Sequence, residues 1–409
     1  MRVRGRTAAV IVGLLLSPVG APAGAVAAAG AVTTGPCAPV PAASRPPRPT
    51  PPRADPAARA VGGPALATRA QVRPAGTSAP PAVPATSWLV ADLDSGDVLG
   101  GCGPHEYGTP ASVQKLLLAA TMLPTLDPRQ VVTLTDGDLD IEPGSSAVGF
   151  AEDGRYRIET LWLGLLLKSG NEAANALARL GGGADGLPGG LRAMNAHARQ
   201  LGAGQTHAVT PSGLDGPGQF TSAYDLALIA RACFADATFR RYDTTREAMI
   251  PAQPALGEKA FPIQNDNQLL YRYPGALGGK TGYTDLARHT YVGAAERGGR
   301  RLVVTLLGAE VVDKRGWEQG AALLDWGFGV PRGAAVGRLV NPGELTAGPS
   351  GTAATPPPLA AAGGPGRLDP AGHPWSRPLV AVSLAAVVAG LAGLLLALRH
   401  RPHDIRRRR

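Results

Sequence analysis

Lysine is scarce in this chain. Of its 40 Lys and Arg residues only five are Lys: Lys115, Lys168, Lys259, Lys280 and Lys314. Either cation serves on a surface, but only Lys gives up its proton readily. A Lys kept in an Arg-rich background is therefore a candidate for proton transfer, or for a shape Arg cannot fill. Cysteine is scarcer still, and Cys37, Cys102 and Cys233 are too few for a disulfide framework. A pair such as Cys37–Cys102 is open to an exported protein, and the odd count leaves one thiol free. No Cys-x-x-Cys and no Cys/His cluster suggests a metal. Aromatic residues are few, at 5%, whereas 55 Gly and 39 Pro are unevenly spread, so much of the length is linker. The net charge of +9 comes from basic residues crowded at the two ends, among them Arg2, Arg4 and Arg6 and the run Arg406 to Arg409. That pattern belongs to membrane topology more than to a nucleic-acid footprint.

By length alone 409 residues could hold two or three domains. Residues 1–31 read as a secretory signal peptide: a basic start, the apolar run Thr7 to Leu16, then small residues with Ala-x-Ala sites. Residues 32–85, rich in Pro, Ala, Gly and Arg, are expected to be an extended, disordered linker. Order is expected over 86–335. Ser87 to Leu93 and Val98-Leu99 form a strand hairpin about the turn Asp94-Ser95-Gly96-Asp97. Helices follow, including the apolar segment Leu161 to Leu167, Glu172 to Leu180, Leu191 to Leu201, and a helix capped at Thr221-Ser222 and running through Ala232. Strands His289 to Ala295 and Arg301 to Leu307 and a last helix, Trp317 to Trp326, complete the block. The fold class implied is α/β (α+β): an antiparallel sheet drawn from both ends of the domain, flanked by helices, with a helical block inserted between. Residues 336–377 return to Gly/Pro-rich linker. Residues 378–398 are an apolar run long enough to span a bilayer, followed at once by the basic tail 399–409. The positive-inside rule then puts the tail in the cytoplasm and the domain outside.

Three short motifs carry the chemistry. In Ser112-Val113-Gln114-Lys115, a hydroxyl and an amine stand three residues apart at a helix start and share one face, which places a nucleophile beside a base. Ser169-Gly170-Asn171 follows the apolar helix, and Lys280-Thr281-Gly282 precedes the late strands. Each alone reads as a cap or a turn. In this order, in an exported domain, they match the set shared by penicillin-binding proteins and class A β-lactamases.

The resemblance is wider than the motifs. Met194-Asn195-Ala196, Ser212-Gly213-Leu214-Asp215, Thr221 to Ala230, Asn265 to Gly275, Lys280 to Asp285 and Leu323 to Phe328 resemble the serine D-alanyl-D-alanine carboxypeptidases, the low-molecular-weight penicillin-binding proteins, over roughly 86–335. The resemblance implies that Ser112 attacks the carbonyl of the D-Ala–D-Ala bond of a peptidoglycan stem peptide and that Lys115 takes its proton. It implies that Ser169 relays the proton to the leaving amine and that Asn171 holds the substrate amide. By the same resemblance the backbone N–H groups of Ser112 and Tyr283 are expected to form the oxyanion hole, and Lys280, Thr281 and Gly282 to bind the terminal carboxylate side. Arg315 sits where relatives place a carboxylate-binding Arg, or is a solvated cation at a helix start. No metal or cofactor is implied, β-lactams are expected as covalent inhibitors, and the membrane is a partner through the C-terminal helix. His105, His207 and His289 are read as surface or packing residues, and Glu172 as a helix-dipole residue. The departures are the absence of a β-rich second domain, Thr210-Pro211-Ser212-Gly213 in place of Asn-Pro-His-Gly, and a transmembrane anchor in place of an amphipathic one. The alternatives are a β-lactamase-type hydrolase, against which the missing Glu-x-x-Leu-Asn segment argues, and a catalytically silent penicillin- or wall-binding module, against which the intact motif set argues.

Overall fold

A computed structural model describes residues 31–41 and 49–345 of the chain. The expected signal peptide, the apolar run 378–398 and the basic tail lie outside these residues, and among the described residues no helix is long and apolar enough to cross a membrane. In chain order the strands are β1 (Val32–Gly35), β2 (Gln71–Pro74), β3 (Ser87–Asp92), β4 (Asp97–Cys102), β5 (Val131–Thr133), β6 (Arg155–Arg157), β7 (Glu247–Ile250), β8 (Phe261–Gln264), β9 (Ala276–Thr284), β10 (Arg288–Arg297), β11 (Arg300–Ala309) and β12 (Gly337–Arg338). The helices are α1 (Pro56–Arg59), α2 (Lys115–Met122), α3 (Asp136–Leu139), α4 (Ile158–Lys168), α5 (Asn171–Gly181), α6 (Gly186–Gln200), α7 (Ala223–Ala235), α8 (Ala237–Asp243), α9 (Leu269–Arg272) and α10 (Gly316–Gly329).

The main sheet runs β1-β2-β4-β3-β11-β10-β9, with β12 also paired to β4; every pairing is antiparallel. Its strands come from the two ends of the folded block and the helices α2 to α8 lie between them in sequence, as the order of elements implied. The alternation of the sheet divides the core in two. On one face α7 lies on β3 and β11, and α2, α4 and α5 stack behind it, so that Leu116, Trp162, Leu177 and Leu226 share one core with Leu89, Ala91 and Val303. On the other, α10 packs Leu323, Leu324 and Trp326 against Trp88, Val90 and Val304, with the two Trp rings edge to face at 6.1 Å. α4 is apolar nearly all round, from Ile158 to Leu167, which suits a helix enclosed by its neighbours rather than one lying on a surface. α7 starts where expected: the Ser222 hydroxyl accepts the Asp225 N–H and caps it.

Two expectations are corrected. Residues 32–85 are not structureless along their described length. β2 pairs with β4 at Gln71↔Cys102 and Val72↔Gly101, β1 pairs along all of β2, and Cys37 is joined to Cys102 by a disulfide with a Cα–Cα distance of 5.8 Å. Among the described residues of the segment only three large apolar side chains, Leu66, Val72 and Val83, are buried. That is too thin a signal for hydrophobic patterning, but each such burial is worth about 1.5–3 kcal/mol, and the covalent link supplies what the sparse core does not. Residues 336–340, expected to open a second linker, are likewise part of the fold: β12 pairs with Val98 and Asp97, and Val336, Leu339 and Val340 are buried. The hairpin β7–β8 falls between Ala232 and Lys280, where no strand was expected.

Candidate active site

The first motif is held at a bend rather than on a regular helix. Ala111 to Gln114 form a 3₁₀ turn that runs into α2. Ala111 takes φ +49, a left-handed conformation costly for a residue with a Cβ and usually retained where the surroundings enforce it. Two neighbours do so here. Thr290 of β10 donates its hydroxyl to the Pro110 carbonyl at 2.8 Å, and β9 presses its backbone against the turn. A Cβ on Gly282 would lie 2.4 Å from Thr290 Oγ1 and 2.8 Å from the Ser112 nitrogen, so only Gly lets the strand come this close. The Lys280-Thr281-Gly282 motif and the Ser112 motif are thereby locked edge to edge, although 168 residues of sequence separate Ser112 from Lys280.

Lys115 is completely buried. Its Nζ lies 2.8 Å from each of three oxygens: Ser112 Oγ, Asn171 Oδ1 and the Ser212 carbonyl. No carboxylate is paired with it, and burial, reinforced by the charge of Lys280, pulls its pKa well below the usual lysine value against a weaker upward pull from Glu172. A neutral amine fits these contacts. Its two hydrogens serve the Asn171 and Ser212 oxygens, and its lone pair is left for the Ser112 hydroxyl.

The second motif follows α4. Ser169 ends that helix in the left-handed region at φ 62, with its N–H donated to the Gly164 carbonyl. This turn leaves the Ser169 hydroxyl buried at the cleft with no hydrogen-bond partner. Asn171 opens α5, donating its own N–H to the Ser146 carbonyl at 2.9 Å. Glu172, next along, accepts the N–H groups of Val148 and Gly149 at 2.6 and 3.0 Å. The segment 142–146, which forms a wall of the cleft, is therefore tied to the motif by a backbone bond and a carboxylate.

Together these parts line a cleft of about 600 Å³ in which Ser112, Ser169, Asn171, Thr281, Gly282 and Tyr283 converge. Lys115 and Lys280 sit behind this surface as buried cations or amines. Lys280 donates to the Thr281 carbonyl at 2.9 Å, and burial lowers its pKa to about 8 while Asp243 and Asp266 pull upward. Tyr283 is about half exposed, its ring against His289 at 4.8 Å and its hydroxyl bonded to Asp285 and Arg288. His289, read from sequence as a packing residue, also lines the cleft.

Arg315 is not brought into this wall. It is exposed at the start of α10, where its N–H donates to Glu318 Oε2 at 2.7 Å, the solvated helix-start cation that was one of its two readings. Sequence reasoning missed the Ser212 carbonyl, a backbone group without residue-type signal, and the loop-holding role of Glu172. It also gave no part to Asp243, whose buried carboxylate sits far from any motif in sequence. Among the described residues no cluster of His, Cys, Asp and Glu could hold a metal ion.

Comparison with known proteins supplies independent findings. A family model described as D-alanyl-D-alanine carboxypeptidase matches residues 74–311. The chain is 46% identical over 276 residues to D-alanyl-D-alanine carboxypeptidase DacB2 of Mycobacterium tuberculosis, covering 66% of this chain and 91% of that protein. It is 33% identical over 258 residues to DacD of Salmonella typhimurium, covering 61% of this chain and 64% of that one. In solved structures it is similar to a D-alanyl-D-alanine carboxypeptidase from M. tuberculosis H37Rv, with 44% identity, a TM-score of 0.61 and coverage of 65% of this chain and 99% of the other. It is similar also to the DD-transpeptidase of Streptomyces K15, with 25% identity, a TM-score of 0.58 and coverage of 61% and 99%.

Proposed function

Because this chain belongs to the D-alanyl-D-alanine carboxypeptidase family of serine peptidases, we propose that its cleft removes the terminal D-Ala of peptidoglycan stem peptides through an acyl-enzyme on Ser112. One observation carries the reading: the buried Lys115 Nζ, 2.8 Å from Ser112 Oγ, with two fixed acceptors taking its hydrogens.

The Ser112 hydroxyl gives its proton to neutral Lys115 as Oγ bonds to the carbonyl carbon. The oxygen of the tetrahedral adduct takes the N–H groups of Ser112 and Tyr283; losing one such donor typically costs ~10²–10³ in rate. The carbon–nitrogen bond then breaks, and the proton passes from Lys115 through the Ser169 hydroxyl to the departing amine. Ser169 suits this relay because its hydroxyl is buried at the cleft with no protein partner to break from. Asn171, already held by Lys115 through its oxygen, offers its amide nitrogen to the substrate backbone. Protonated Lys280 and the Thr281 hydroxyl receive the terminal carboxylate. Water then adds to the ester, the Oγ–carbon bond breaks, and a peptide one D-Ala shorter leaves. A β-lactam would be trapped at the ester stage.

We place the domain outside the cell, led by the signal peptide over 1–31 and anchored by the apolar run 378–398. The Cys37–Cys102 disulfide supports that address, since such bonds persist in oxidising compartments.

The deciding experiment incubates the protein with a pentapeptide ending in D-Ala–D-Ala and measures released D-Ala. Release by wild type and none by Ser112→Ala is expected. Equal release from both, or none from folded wild type, would sink the reading.

A further inference from the structure

Behind β9 stands a buried carboxylate that takes no part in the catalytic steps. Asp243 is the last residue of α8 and is 1% exposed. Its Oδ2 accepts the Gly279 N–H at 2.6 Å, and its Oδ1 is buried with no hydrogen-bond partner. Strand β9 is shaped around this group. Gly278 and Gly279 take φ +117 and +140, and a Cβ on Gly278 would lie 2.0 Å from Oδ2. Two glycines in conformations that L side chains avoid thus seat the strand on a carboxylate, and the next residue is Lys280.

A buried carboxylate that is not fully hydrogen-bonded is expensive unless a charge answers it. The groups around it can be taken element by element. From β9 comes Lys280, whose own hydrogen bond is to the neutral Thr281 carbonyl. From β10 comes Tyr291, bonded to Asn267 and held neutral by burial. From α7 comes the Cys233 thiol, likewise kept protonated by burial. From α2 comes Lys115, which burial and the Lys280 charge keep as a neutral amine. Asp266 is the other carboxylate acting on Lys280, but it is engaged by Lys168 Nζ at 2.8 Å at a more exposed position. Asp243, bonded to the residue before Lys280, is the buried carboxylate whose charge favours its ammonium form.

We propose that Asp243 is a positioning residue for the substrate carboxylate: from behind β9 it tethers Gly279 and holds Lys280 as the ammonium the cleft presents. This rests on the reading of Lys280 as the carboxylate-binding cation. The directions of titration agree with it. Burial lowers Lys280 to about 8 against the pull of Asp243, and burial raises Asp243 to about 7 against the Gly279 N–H and the Lys280 charge.

The test compares wild type with Asp243→Asn, which keeps an oxygen for the Gly279 N–H and loses the charge. Two substrates are used, a peptide ending in D-Ala–D-Ala and the same peptide as its C-terminal amide. For the free acid, Asp243→Asn should raise KM ~10-fold with kcat little changed and move the alkaline limb of kcat/KM about one pH unit towards acid. The amide should be turned over alike by both proteins. A merely structural Asp243 would slow both substrates equally and leave the limb in place, which overturns the proposal. If wild type does not distinguish acid from amide, it is the reading of Lys280 that fails.

A second measurement needs no variant. With five Lys in the chain, the side chains of lysine-labelled wild-type protein can be followed individually by NMR. The Lys280 signal should show an added inflection as Asp243 ionises, and a Lys280 signal blind to Asp243 would also overturn the proposal.

Discussion

The two edges of the main sheet are built on opposite principles. At the β9 edge the protein keeps costly things: two buried lysines, the carboxylate of Asp243 with one oxygen unmet, a Ser169 hydroxyl with no partner, and a left-handed Ala111. At the β1–β2 edge the interactions are ordinary and closed. The strands pair in register, Leu66 and Val72 are buried, and a disulfide joins Cys37 to Cys102. The first edge spends stability on groups poised for a substrate; the second returns some of it. The difference shows in what each edge should lose when altered.

The largest effect belongs to the catalytic edge. Ser112→Ala should lower kcat by ~10⁴ or more in a D-Ala release assay and abolish the covalent adduct with a β-lactam seen by mass spectrometry. Lys115→Arg comes next, with a loss of ~10³ or more at every pH, since Arg cannot deprotonate. In wild type the pH profile should be bell-shaped. Activity appears as pH rises through the depressed pKa of Lys115 and declines as Lys280 loses its proton near pH 8. A loss confined to KM in Lys115→Arg would break the assignment of the base.

The far edge should respond in stability and not in rate. Replacing both Cys37 and Cys102 by Ser removes a link between residues 65 apart and should cost about 2–4 kcal/mol in denaturant unfolding, with kcat held. A matching fall in kcat would show that the two edges are coupled. Smaller again, Glu172→Gln weakens the charge-assisted hold on Val148 and Gly149 and should raise KM ~3–10-fold through the cleft wall. The smallest effect is Arg315→Ala, where kcat/KM within about twofold is expected from an exposed residue outside the cleft wall.

The same contrast explains what could be read from the chain. The strands β3, β10 and β11 and the helices α4, α5, α7 and α10 carry long apolar or capped patterns, so periodicity finds them. Ser112, Lys115, Ser169, Asn171 and Lys280 belong to short motifs whose order is informative, and the structure gathers them in and behind one cleft. What escaped has no local pattern. β1 and β2 are held by a covalent bond and by pairing to β4, which Pro-rich composition conceals. The Ser212 carbonyl is backbone. Asp243 acts through a partner 37 residues along the chain from it, and only folding brings the two together.

β4 is also where the described chain arrives and departs. β2 pairs with its Gly101–Cys102 end and β12 with its Asp97–Val98 end, both on the side away from β3. β1 is six strand steps from β9 and β12 five, which at ~4.8 Å per step is roughly 24–29 Å across the sheet. A fluorophore or a second protein attached beside β1 or β12 would thus be joined on the side of the sheet remote from the cleft. A label set beside β1 or β12 therefore leaves the working edge at β9 open.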